Sequence, residues 1–158
     1  MTRHHMFGSG SKAFGLAVLL AMPAAVLGQG RDLPPGAIQV PAEDGVWQDA
    51  PATLPPGTRM LLLEGHPARE GFFTMRLRIP AGTRLAPHWH PRDERVTVLS
   101  GLVRVGFGDH VNEAEMATFG PGSFYLNPLH SHHYVWFMED SELQLTGIGP
   151  WELHLVEH

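Results

Sequence analysis

An all-β domain is the fold this sequence predicts, on three observations. Eighteen glycines and fourteen prolines stand among 158 residues, and after the first thirty residues they separate short apolar runs, as turns do in a domain of many strands. Phe73, Met75, Leu77 and Ile79 alternate with Thr74, Arg76 and Arg78, a period of two with one face buried and one wet. Leu143 and Leu145 repeat the pattern against Glu142, Gln144 and Thr146. No stretch after residue 30 sustains helical periodicity, apart from one turn expected around Asn112 to Ala117. Short strands at such spacing predict an antiparallel sandwich or barrel.

The first 28 residues read as an address and not as part of that domain. Arg3 and Lys12 precede an apolar, small-residue run from Ala13 to Gly28 that only Pro23 interrupts. A positive start, an apolar middle and small residues before a polar exit make up a secretory signal. Val26 and Gly28 can serve as the cleavage-site residues, giving a mature start near Gln29 and an exported, periplasmic or secreted protein. The run falls short of the roughly 20 residues that span a bilayer comfortably, although an uncleaved anchor is the alternative. His4 and His5 lie in this leader and are read as irrelevant to any site.

Residues 29–57 form a Pro/Gly-rich lead-in that should be mostly extended, with an edge strand around Ile38 to Val40 and Trp47 as an anchor. Residues 58–158 are read as the barrel itself. Its apolar runs are Leu61–Leu63, Phe72–Ile79, Val96–Leu99, Leu102–Phe107, Phe124–Leu126, Tyr134–Met138, Leu143–Ile148 and Trp151–Val156.

Composition narrows the function. With 43% hydrophobic and 17% charged residues the chain can build a packed core, and its length suits one domain. The absence of cysteine removes disulfides, thiolate metal sites and a cysteine nucleophile. The formal charge is −5, and both Arg3 and the sole lysine lie in the leader. The mature chain has no basic stripe, so nucleic acid is not an expected partner. Nor is a membrane, once the signal is removed.

The informative stretch is Gly82-Thr-Arg-Leu-Ala-Pro-His88-Trp-His90-Pro-Arg-Asp-Glu94-Arg-Val-Thr-Val-Leu-Ser-Gly101. On a strand, His88 and His90 project to one side while Trp89 points away. Pro91 turns the chain, and Glu94 opens the next run on the face of Val96 and Val98. Two imidazoles and a carboxylate from adjacent strands make a facial set suited to Fe(II), Mn(II), Ni(II) or Zn(II), with coordination positions left open. A second stretch, Gly120-Pro121-Gly122-Ser123-Phe124-Tyr-Leu-Asn-Pro128-Leu-His130-Ser-His132-His133, turns into a strand at Gly122 and closes at Pro128.

Together these stretches resemble the two motifs of the cupin superfamily. The first matches at Gly82, His88, His90, Glu94 and Gly101. The second matches at Pro121 or Gly122, Pro128 and a terminal histidine, and departs from the pattern in lacking a later asparagine. The resemblance covers residues 58–156 and is closest to small single-domain bacterial cupins. It implies a double-stranded β-helix, or jelly-roll, barrel with a divalent transition metal inside. It also selects the fourth ligand among His130, His132 and His133. Similar cupins place it five residues after the proline, at His133, which is then in phase with Val135 and Phe137. His132 and His133 cannot both face inward. A barrel that has lost its metal is the alternative, although none of the four donors is missing.

Other candidates have bland readings beside the functional ones. Arg76 and Arg78 could clamp a substrate carboxylate, but a solvated strand face with salt bridges is the preferred reading, and Arg84 and Arg104 are read likewise. Trp89, Tyr134 and Trp136 could form an aromatic patch outside the barrel, with core or subunit contact as the default. His66 and His154 are read as hydrogen-bonded structural residues, and Gly106 and Gly108 as strand or turn glycines. The function expected is an exported metal-dependent enzyme, of oxygenase or isomerase type, acting on a small molecule. The alternative is a non-catalytic metal- or ligand-binding module. A homodimer is the expected assembly.

Overall fold

The computed structural model describes residues 33–157; the leader expected at residues 1–28 and the cleavage point expected near Gln29 lie outside them. Eleven strands follow in order: β1 (Gln48–Asp49), β2 (Arg59–Glu64), β3 (Gly71–Ile79), β4 (Arg84–Trp89), β5 (Glu94–Ser100), β6 (Val103–Phe107), β7 (Ala117–Phe119), β8 (Phe124–Asn127), β9 (His133–Phe137), β10 (Ser141–Gly149) and β11 (His154–Leu155). They make two antiparallel sheets, one of order β1-β2-β3-β10-β5-β8 and one of order β11-β4-β9-β6-β7. This is the jelly-roll arrangement. The only helical pieces among the described residues are short 3-10 turns at Ala42–Asp44 and Glu113–Glu115. The second lies where one turn was expected, capped by the Asn112 side chain on Ala114 N–H.

Alternation in β3 and β10 does what it predicts. Leu143 opposes Leu77 and Leu145 opposes Met75, all buried between the sheets. Val96, Val98, Val103, Val105, Val135 and Phe137 complete the same core. On the wet face Arg78 Nε bonds Glu142 Oε2 at 2.9 Å and Arg76 Nε bonds Gln144 Oε1 at 3.2 Å. The arginine pair thus serves the outer sheet surface, as the salt-bridge reading requires.

One turn and one close contact depend on glycine. Gly101 joins β5 to β6 at φ 81°, and a Cβ there would run into Asp140 O and the Ser141 side chain. Gly106 lies opposite Tyr134 on β9, and a Cβ would occupy the space of the Tyr134 ring.

The lead-in differs from expectation in one respect. Residues 37–40 form no strand, and the pairing edge is instead β1, with Gln48 opposite Met60. Trp47 does anchor this stretch, because the Arg78 guanidinium sits 3.9 Å above its ring. Tyr134 and Trp136 point out of the barrel but form no exposed patch. Tyr134 is fully buried and Trp136 nearly so, packed with Met116 as a second small core. The Tyr134 hydroxyl donates to Asn112 O and accepts from Asn112 N, while Arg84 lies 3.9 Å over Trp136. The connection from β6 to β7 has folded over them, which no periodicity reveals.

Candidate metal centre

The four residues singled out from sequence meet in the interior. His88 is on β4, His90 follows it, Glu94 opens β5 and His133 opens β9. The β4 phase depends on a bulge. Leu85 pairs with Val135 and His88 with His133, so β4 spends three residues where β9 spends two. Leu85 and Pro87 would share a face on a regular strand, and the extra residue turns His88 and His90 inward after Leu85.

Candidate ligand atoms of His88, His90 and His133 all lie within 4.8 Å of one another, in side chains that are all buried. Ring centroids of His88 and His133 are 4.2 Å apart, and each is 5.2 Å from that of His90. Glu94 adjoins this group through Oε2, 3.5 Å from His90 Nε2.

Each imidazole is oriented by a backbone carbonyl. His88 Nδ1 lies 2.7 Å from Ala86 O, His90 Nδ1 2.7 Å from Glu152 O, and His133 Nδ1 3.0 Å from Ser131 O. A carbonyl only accepts, so each Nδ1 carries the proton and donates it. In a neutral ring Nε2 then presents its lone pair. His133 Nε2 is buried with no hydrogen-bond partner, an arrangement costly to maintain unless something fills it. Three nitrogen donors and a carboxylate fit a borderline divalent cation.

For His88 and His133 the electrostatics agree with that donor role. Burial, aided by the neighbouring His133, lowers the His88 pKa to about 4, so the ring is neutral at pH 7. Burial also lowers His133. For His90 burial works downward, but the Glu94 carboxylate outweighs it and the pKa is raised. Burial pushes Glu94 upward, yet His90, His133 and the Asn127 amide together hold it down at about 2. The carboxylate is therefore ionised throughout the physiological range.

Two residues that sequence reasoning did not single out complete the site. Asn127, fully buried on β8, lies opposite Glu94 and donates from Nδ2 to Oε2 at 2.9 Å. Its only signal is an amide in phase with Tyr125 just before Pro128. Trp151 donates from Nε1 to Glu94 Oε1 at 3.0 Å and stacks on His90, with centroids 5.0 Å apart. No local pattern marks it. The other histidines face elsewhere. His132 Nδ1 bonds Asp109 at 2.6 Å, His130 lies edge-on to Trp89, and His154 stacks on Trp89 while bonding Glu152. His66 accepts from Ala68 N–H.

Beside the imidazoles is a cavity of about 30 Å³, room for roughly two waters. Its wall is apolar, with Leu77, Ile79, Leu85, Val96, Phe137 and Leu145 prominent. Apart from the four donors and the Trp151 indole, Tyr125 brings the one polar group.

This two-sheeted antiparallel barrel, closed over a buried imidazole cluster, is a cupin, and its donors fit a metal-binding member. Within the cupins the chain belongs to the ChrR cupin-like domain family, whose sequence profile matches residues 36–152. Solved structures of like fold include KdgF from Halomonas sp., at 22% identity and TM-score 0.55 over 72% of this chain and 93% of that one. The polyketide cyclase RemF from Streptomyces resistomycificus aligns at 15% identity and TM-score 0.63, over 77% and 87% respectively. A salicylate 1,2-dioxygenase from Pseudaminobacter salicylatoxidans aligns at 16% and 0.53, over 67% of this chain and 32% of that one. Such identities speak to the fold alone. No curated protein matches the sequence.

Proposed function

We propose that His88, His90, Glu94 and His133 hold one divalent transition metal, Fe(II), Mn(II), Ni(II) or Zn(II), in an enzyme of oxygenase or isomerase type acting on a small molecule. The observation that carries this reading is the convergence of three imidazoles whose Nδ1 atoms are all committed to carbonyls, with the His133 Nε2 lone pair buried and unpaired. When bound, the metal supplies Lewis acidity and open positions for an oxygen donor. The chain's own residues orient the donors, keep water out and select the molecule admitted. An apolar wall with a single hydroxyl, that of Tyr125, suits a very small, mostly hydrocarbon molecule with one oxygen to offer, such as a simple carbonyl compound.

The same wall favours a second reading, a non-catalytic module that binds a metal or small ligand. Convergent polar groups in the cavity would argue for turnover, and beyond the donors only Tyr125 and the engaged Trp151 are polar there. Metal analysis of protein from its native compartment, then oxygen-uptake and isomerisation assays over small carbonyls and phenols, separates the two. Metal without turnover supports the binding module, and no metal uptake at all refutes the metal-dependent enzyme and the metal-binding form of the module.

Export and self-association belong to the same proposal. The leader supports a mature start near Gln29, which N-terminal sequencing of the periplasmic fraction tests; an intact Met1 in the cytoplasm refutes it. Phe72 and Ile148 face each other, exposed, on the outer sheet surface, which supports a homodimer. Light scattering that shows only monomer at micromolar concentration defeats that part.

A further inference from the structure

The C-terminal stretch touches the centre more often than a passing strand would. The Trp151 indole donates to Glu94 Oε1 at 3.0 Å, and its ring lies at 23° to that of His90. The next carbonyl, of Glu152, accepts the hydrogen bond from His90 Nδ1. Trp151 N–H is itself held by Pro67 O at 2.6 Å, and Leu155 on β11 pairs with His88. Trp151 and Leu153 also form part of the cavity wall.

Glu94 is thereby held at both oxygens. Asn127 takes one lone pair of Oε2 and Trp151 takes Oε1. A carboxylate has two acceptor oxygens that a cation can share, and occupying one with an N–H donor turns the other toward the imidazoles. Oε2 is the oxygen beside His90 Nε2. We propose that Trp151 is a positioning residue of the metal centre, holding Glu94 by Oε1 so that the carboxylate presents Oε2 alone, while the adjoining Glu152 carbonyl sets the His90 ring. The proposal rests on the metal-centre reading above.

Cobalt(II) is the probe, added to metal-stripped mature chain and followed by visible absorption, whose bands report the number and kind of donors. Trp151→Phe keeps a ring against His90 and loses the N–H. The expected result is one cobalt per chain, with affinity about 10- to 100-fold weaker than the parent and altered band positions or intensity as Oε1 is released. Should Trp151→Phe fail to fold, β-(benzothiophen-3-yl)alanine at position 151 replaces the indole N–H by sulfur at nearly constant shape, and the same result is expected. Parental affinity and spectrum in either replacement overturn the proposal. A merely structural role for Trp151 would lower the unfolding temperature without moving the cobalt bands, and that outcome overturns it too. A parent chain that takes up no cobalt refutes the metal-centre reading instead, so the two failures are distinguishable.

Discussion

Asn127 and Glu94 face each other across β8 and β5, and the Asn127 amide donates to Glu94 Oε2 at 2.9 Å in a fully buried pair. The amide stabilises the carboxylate while carrying no charge of its own, so it orients a donor without competing for a cation. Asn127→Ala should weaken metal binding by about 10- to 100-fold at unchanged stoichiometry, measured by titration calorimetry. Asn127→Asp places a second carboxylate against Glu94, and one of the two must then hold a proton at a raised pKa. Metal binding by that variant should become more pH-dependent than in the parent.

His133→Ala should abolish stoichiometric metal uptake, because it removes an imidazole whose Nε2 has no other partner. His132→Ala and His130→Ala should leave one metal per chain, since those rings face Asp109 and Trp89. Elemental analysis of the three purified variants checks this. An empty His132→Ala beside a loaded His133→Ala would show the β9 register to be wrong.

Acid should destabilise the metal-free chain in two overlapping windows. Between pH 6.5 and about 4 the unfolded chain takes a proton at His88 that the folded chain refuses, so stability falls as pH drops; His133 acts in the same direction. Glu94, depressed to about 2, contributes stability present above 4.5 that is lost as pH falls toward 2. His90 opposes these partly: its raised pKa gives stability that is complete below 6.5 and lost as pH rises through the folded value. Tm should fall by on the order of 5 °C or more between pH 7 and pH 4, and His88→Gln should flatten that slope. A parent Tm that is level across the window contradicts a neutral buried His88.

Gly106→Ala should destabilise by about 1–3 kcal/mol, because its methyl must displace the buried Tyr134 ring. Tyr134→Phe should cost about 1–3 kcal/mol through the lost Asn112 bonds. Neither touches the imidazole cluster, so thermal unfolding should shift while metal stoichiometry does not. Loss of metal in Tyr134→Phe would mean that the outer aromatic core supports the site.

Much of this was readable in one dimension. Alternation in β3 and β10 made the all-β expectation, since a strand side chain's face is set by its own position and its neighbours'. The spacing of His88, His90 and Glu94, with the resemblance adding His133, brought the donor types to one place. The Arg76 and Arg78 salt bridges likewise followed from a polar stripe opposite an apolar one. The missed elements share one property. The cover over Tyr134 and Trp136 depends on where a connection folds back, and the β4 bulge shows only in the pairing of Leu85 and His88 with β9.

By itself, then, the sequence determined the fold class, the donor chemistry and which side chains had to be inside, because hydrophobic period and residue type are local properties of a strand. Only the tertiary structure decided how those donors are held. Asn127 reaches Glu94 across 33 residues, Trp151 reaches it across 57, and the Glu152 carbonyl reaches His90 across 62. Such hydrogen bonds are specified by sheet register and by the return of the C-terminal segment to β4, and each requires a group distant in sequence to arrive within about 3 Å with the right atom forward. No pattern of neighbours along the chain encodes that arrival.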